Sequence, residues 1–141
     1  MRRKANWPGK PATSSEVYSL SVEWPAGYER KSRLTLTTIG RRTGKRHVVR
    51  IDFVVHEGRL FVTGANDKRD WMRNVLKNPV VEATIDEVSR RVRAEAVDSE
   101  ELRATIEQLY RKKYPWASRL LRLARKGALV FELKKTEDNH T

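Results

Sequence analysis

Two hydrophobic periodicities take turns along this chain. From Arg33 to Ile39 the residues are rich in β-branched side chains and stop at Gly40, which predicts a strand. Val49, Ile51, Phe53 and Val55 then alternate with Arg50, Asp52 and Val54, a strand with one apolar face. His56-Glu57-Gly58 turns the chain into Leu60–Thr63, completing a hairpin. The spacing changes at Asp67 or Asp70, either of which can cap a short helix from Trp71 to Lys77 that keeps Trp71 and Val75 on one face. Asn78-Pro79 stops it, because proline disfavours a helical conformation at the residue before it.

Val80–Ile85 and Val88–Val97 predict a second hairpin around Asp86-Glu87. Asp98-Ser99-Glu100-Glu101 reads as a capping box for a helix with Leu102, Ile106 and Leu109 on one stripe. Pro115 interrupts that helix, Trp116–Lys126 predicts another ending at Gly127, and Ala128–Leu133 a last strand. Residues 1–15 show no periodicity and read as a basic mobile arm; Glu16–Val22 fits either a short strand or a helical turn. The order is mostly hairpins, so the expectation is an α+β, mainly β fold. An antiparallel sheet of about six strands would curl on itself, with helices packed outside. Residues 16–135 would form that single domain and 136–141 a polar tail.

Composition narrows the chemistry. The 141 residues are 38% hydrophobic and 34% charged, polar for a folded domain but enough for one core. The chain has no cysteine, which excludes disulfides, thiolate metal sites and thiol catalysis. It has neither a long apolar run nor a secretory h-region, so a cytoplasmic location is expected. His47, His56 and His140 are isolated from one another, and no metal site is expected. No Ser-His-Asp pattern, nucleophile elbow or paired carboxylates appear. An enzyme built this way would borrow its reactivity from a cofactor.

The net charge of +12 is uneven: Arg30 to Arg50 holds eight Lys or Arg and no acid. Such a segment attracts an anion, whether nucleic acid, acidic lipid or a phosphorylated cofactor. Its densest part is the turn Gly40-Arg41-Arg42-Thr43-Gly44-Lys45, where main-chain N–H groups, a hydroxyl and several cations crowd a small volume. Phosphate suits such a place, because charge-assisted hydrogen bonds to its oxygens are the strong ones. A solvated hairpin turn that happens to be basic is the plain alternative.

The string Leu34-Thr35-Leu36-Thr37-Thr38-Ile39-Gly40-Arg41-Arg42-Thr43-Gly44-Lys45, followed by Trp71-Met72-Arg73-Asn74-Val75-Leu76-Lys77-Asn78-Pro79, resembles the deazaflavin-dependent nitroreductase and quinone reductase family. The resemblance runs from about Arg33 to Glu132. It implies a split β-barrel that passes hydride to a quinone or nitroaromatic acceptor. The cofactor would be coenzyme F-420, with FMN as the second choice. Positions matching Arg42, Thr43 and Gly44 would hold the cofactor phosphate, with Arg41 and Lys45 adding charge. Val49, Arg50, Thr63 and Gly64 would border the ring, Lys68 would reach an anionic tail, and Trp71 matches the family tryptophan, more simply a core anchor. The chain departs from the family's Pro-Arg-x-x-Pro at Arg46–Arg50: His47 stands for a phosphate-contacting arginine and Arg50 for a proline. A homodimer is one arrangement the resemblance allows. The competing readings are a basic nucleic-acid-binding module, a membrane-surface protein and a non-catalytic cofactor carrier.

Overall fold

The computed structural model describes residues 22–64, 70–115 and 129–136. Among them are strands β1 (Arg33–Ile39), β2 (Arg46–His56), β3 (Arg59–Thr63), helix α1 (Asp70–Lys77), β4 (Val80–Ile85), β5 (Val88–Ala96), helix α2 (Glu100–Lys113) and β6 (Val130–Lys135). The six strands are antiparallel and close into a barrel in the order β1-β2-β3-β6-β5-β4, with β4 returning to β1. This is the mainly β, curled sheet that the alternation predicts. The predicted arm, helix Trp116–Lys126 and the Glu16–Val22 segment up to Ser21 lie outside the described residues, as do Lys68 and Asp67.

Both tight hairpins use two-residue turns with left-handed backbone, Glu57-Gly58 and Asp86-Glu87. Positive φ at both central positions matches the twist of the flanking strands. The barrel interior holds Leu34, Leu36, Phe53, Leu60, Val62, Val81, Ala83, Ile85, Val92, Ala94, Phe131 and Leu133, and α1 adds Trp71, Met72 and Val75 to it. The Trp71 ring meets Phe131 at 6.0 Å and is 5% exposed, so this tryptophan is a core anchor.

A second cluster sits outside the barrel. There α2 lays Ile106 and Tyr110, with Tyr114 just beyond its end, over Val54, Phe61 and Val130. Val54 alternates with the apolar face of β2 yet is buried, because a helix covers that part of the sheet. The expected stripe of Leu102, Ile106 and Leu109 faces this cluster, with Tyr110 added to it; Ile106 and Tyr110 are buried, Leu102 and Leu109 partly so. The cap is Ser99, whose side chain accepts the Leu102 N–H at 3.1 Å. Glu100 and Glu101 therefore occupy the first turn, where they favour the helix dipole, instead of closing a box from Asp98. Among the described residues no helix is long and apolar enough to cross a membrane.

Candidate cofactor site

The β1–β2 turn is held from both sides. Gly40 N–H donates to the Lys45 carbonyl at 2.7 Å, Gly44 N–H to Gly40 at 3.0 Å, and Lys45 N–H to the Thr43 hydroxyl at 3.1 Å. Gly44 takes φ +73, a left-handed conformation that glycine adopts without steric cost. The main-chain N–H and the guanidinium of Arg41 both donate to Asn74 Oδ1, at 3.1 and 2.9 Å, and Arg41 also pairs with Asp70 at 3.5 Å. Asn74 Nδ2 in turn donates to Thr38 Oγ1 at 3.3 Å. Arg41 is thus committed to fastening the turn onto α1.

Of the turn's amides, Gly40, Arg41, Gly44 and Lys45 are used, so Arg42 and Thr43 carry the N–H groups without a partner among the described residues. Four cations of the basic segment are also paired: Lys31 with Asp86, Arg33 with Asp52, Arg41 with Asp70 and Arg46 with Glu82. Arg42, Lys45 and Arg50 are exposed and have no ion pair among the described residues.

His47 completes the group. A Cβ built on Gly40 would lie 2.9 Å from both His47 Nε2 and Thr43 Oγ1, so these two polar atoms converge over the bare glycine. His47 faces Thr38 across the ladder, on the inward side of β2 at the barrel's open end. Arg42, Thr43, Gly44 and Lys45 share the turn, and His47 stands beside it.

The ring positions are arranged differently. Successive strand residues face opposite sides. Val49 packs against the interior cluster, whereas Arg50 lies on the outer face, opposite Thr35. The two do not line one surface. Thr63 and Gly64 stand further along: the register puts Thr63 opposite Asp52, six residues from Arg46. At about 3.3 Å per residue this is roughly 20 Å from the turn.

Between these two ends β2 has an open edge. Because Gly40 bonds Lys45, the odd-numbered residues of β2 turn their main-chain groups to β1 and the even-numbered ones away. β3 pairs with β2 only from Phe53 to His56. The N–H and C=O of Val48 and Arg50 consequently have no main-chain partner among the described residues. Among the described residues this unpaired edge of β2, from the basic turn to the start of its pairing with β3, is the candidate slot. Val48 beside it is 62% exposed, one of two large apolar side chains left open among the described residues.

Across residues 15–131 the sequence matches the family described as F-420H(2)-dependent quinone reductase. The chain belongs to that family. Membership carries coenzyme F-420 as the cofactor and F-420-dependent reduction as the activity. The family's fold is also found in solved structures. An F-420-H2 dependent reductase (FDR-A) superposes with TM-score 0.61 at 23% identity, over 73% of this chain and 94% of that one. The heme storage protein HutZ from Vibrio cholerae gives 0.59 at 15% identity, covering 89% of each chain. A putative pyridoxamine 5'-phosphate oxidase from Listeria innocua gives 0.57 at 14%, over 87% of this chain and 92% of that one. At such identities the likeness shows the shared split barrel. No curated protein matches the sequence.

The reductase's residues fit the group that the family uses. Unpaired cations, two free amides and a hydroxyl suit a phosphate, and a strand edge with unpaired N–H and C=O suits a flat heterocycle that carries both donors and acceptors. Tyr110 and Tyr114, at positions where a substrate lid is conceivable, are instead buried, with their hydroxyls inside the sheet. The signal for that was present: two phenols on the apolar stripe of a helix bring hydroxyls that need partners.

Proposed function

We propose that this protein takes hydride from reduced F-420 and delivers it to a quinone-type acceptor, holding the cofactor across the slot along β2. In this reading the phosphate lies on Arg42, Thr43 and Lys45 with His47 beside it, and the ring lies near Val49, the main-chain edge of Val48 and Arg50, and Gly64. The observation that carries the proposal is the continuity of the unpaired donors at the turn with the open edge of β2. The cofactor supplies the hydride. The protein's own residues bind and orient: the turn fixes one end, the strand edge aligns the other, and Arg41 with Asn74 keeps the turn on α1. Among the described residues no group of three or more His, Asp or Glu could hold a metal. A homodimer and a cytoplasmic location belong to the same proposal.

A titration of the protein with F-420, followed by cofactor fluorescence, tests the proposal, with FMN in parallel. Saturable micromolar binding of F-420, and oxidation of its reduced form on adding a quinone, is the expected result. Absence of binding at low salt would overturn the assignment of the site.

A further inference from the structure

The hydroxyl of Tyr110 sits inside the β2–β3 ladder. The β2–β3 register ends at Phe53 and Val62; continued by one pair it sets Asp52 against Thr63, and in an ordinary antiparallel pair the Thr63 N–H would bond the Asp52 carbonyl directly. Instead Thr63 N–H donates to the Tyr110 hydroxyl at 3.2 Å, and that hydroxyl donates to the Asp52 carbonyl at 3.0 Å. One oxygen atom thus replaces the last rung before the strands part. Thr63 is held from the other side as well, since its Oγ1 donates to the Leu129 carbonyl at 2.6 Å.

Tyr114, one helical turn further on, does the same on the opposite edge of β2. Phe53 N–H donates to its hydroxyl at 3.2 Å, and the oxygen lies 2.6 Å from the carbonyls of Ser32 and Phe53. The two phenols therefore make equivalent insertions at adjacent residues of one strand. They differ in consequence. Beyond Tyr114, β1 and β2 pair without interruption from Arg33·Asp52 to Ile39·Arg46. Beyond Tyr110, β2 has no neighbour on that side among the described residues, and the slot begins.

Resting on the reading of the slot as the cofactor site, we infer that Tyr110 is a positioning residue whose hydroxyl spaces β2 from β3 and so sets the width of the ring site. Without the oxygen, Thr63 N–H and the Asp52 carbonyl would be left to bond each other, because a buried pair of unsatisfied groups is costly. That closure draws Gly64 towards Ile51 and narrows the entrance to the slot. Burial keeps the Tyr110 phenol protonated, its pKa well above the ordinary value, so the hydroxyl retains the proton it donates to Asp52.

Tyr110→Phe and Tyr114→Phe form a matched pair for the test, each deleting one inserted oxygen from β2. F-420 affinity and the melting temperature are measured for both and for the wild type. The expected result is a similar fall in melting temperature for the two variants. F-420 binding should weaken by about tenfold or more in Tyr110→Phe only, with Tyr114→Phe within about twofold of wild type. Unchanged affinity in Tyr110→Phe, or equal losses in both, overturns the inference while leaving the site assignment intact. A wild type that binds no F-420 overturns the site assignment itself. Should Tyr110→Phe fail to fold, amide NMR of the wild type decides. A shift of the Thr63 N–H on adding F-420 that Phe53 does not share supports the spacer; equal shifts or none overturn it.

Discussion

Asn74 Oδ1 accepts two hydrogen bonds from Arg41, one from its main-chain N–H at 3.1 Å and one from its guanidinium at 2.9 Å. A helix buried in the barrel mouth thereby grips the start of the anion-binding turn. Asn74→Ala removes both bonds and strands the Arg41 amide, which should cost about 1–3 kcal/mol of stability. Asn74→Asp keeps the acceptor and should cost much less. Denaturant midpoints of the two variants check this order, and F-420 affinity should follow the same order.

Gly40 and Gly44 should separate packing from backbone strain. At Gly40 an added methyl meets His47 Nε2, at the movable end of its side chain, and Thr43 Oγ1, which accepts the Lys45 N–H, both at 2.9 Å. Gly40→Ala is expected to cost about 1 kcal/mol through the lost Thr43–Lys45 hydrogen bond while displacing two donors of the anion site, weakening F-420 binding by roughly tenfold. At Gly44 nothing lies within 4 Å, but φ is +73. Gly44→Ala should cost about 1 kcal/mol in folding through backbone strain alone. Thermal melts and cofactor titrations of the two variants are the measurements.

Arg42 has no ion pair among the described residues, so removing it leaves no orphaned acid. Arg42→Ala should weaken F-420 binding by about 1.5–3 kcal/mol without lowering the melting temperature. The wild-type affinity should fall as salt rises, since exposed charges are screened, and the slope should be shallower in the variant. Fluorescence titrations at several salt concentrations follow both effects.

Alkaline pH should loosen the sheet through its phenols. Burial pushes Tyr114 up to about 12, and Tyr110 is also raised well above the ordinary value. The folded chain therefore binds these protons more tightly than the unfolded chain, whose phenols titrate at about 10. Their contribution is intact below pH ~10 and is lost as pH rises through about 12, because the unfolded state sheds its protons first. Lys113 acts with the opposite sign, since burial lowers its pKa and its neutralisation favours the folded chain. Urea unfolding across this range, compared with Tyr114→Phe, should show a smaller alkaline loss in the variant.

Much of this architecture can be read from local pattern. Alternation at Leu34 and Leu36 and from Val49 to Val55, the turn residues Glu57-Gly58, and the stop at Asn78-Pro79 mark strands, hairpins and a helix end, since each reflects backbone geometry within a few residues. The motif around Gly40–Lys45, with its partner at Trp71–Pro79, was enough to point to the family and its cofactor.

What the local pattern could not decide is which groups remain free once the chain is folded. Eight cations in one segment look alike in sequence; the fold pairs Lys31, Arg33, Arg41 and Arg46 with acids on other elements. Val49 and Arg50 are neighbours in the chain, yet the strand pleat sends them to opposite faces. The burial of Val54 depends on α2, more than 40 residues later in the chain. Likewise the groups of Thr63 and Asp52 at the end of the β2–β3 ladder are bridged by a tyrosine hydroxyl from that helix. Alternation and turn chemistry act over a few residues and are written in the sequence. Pairing, facing and spacing act between elements far apart in the chain, and only the tertiary structure brings those elements together.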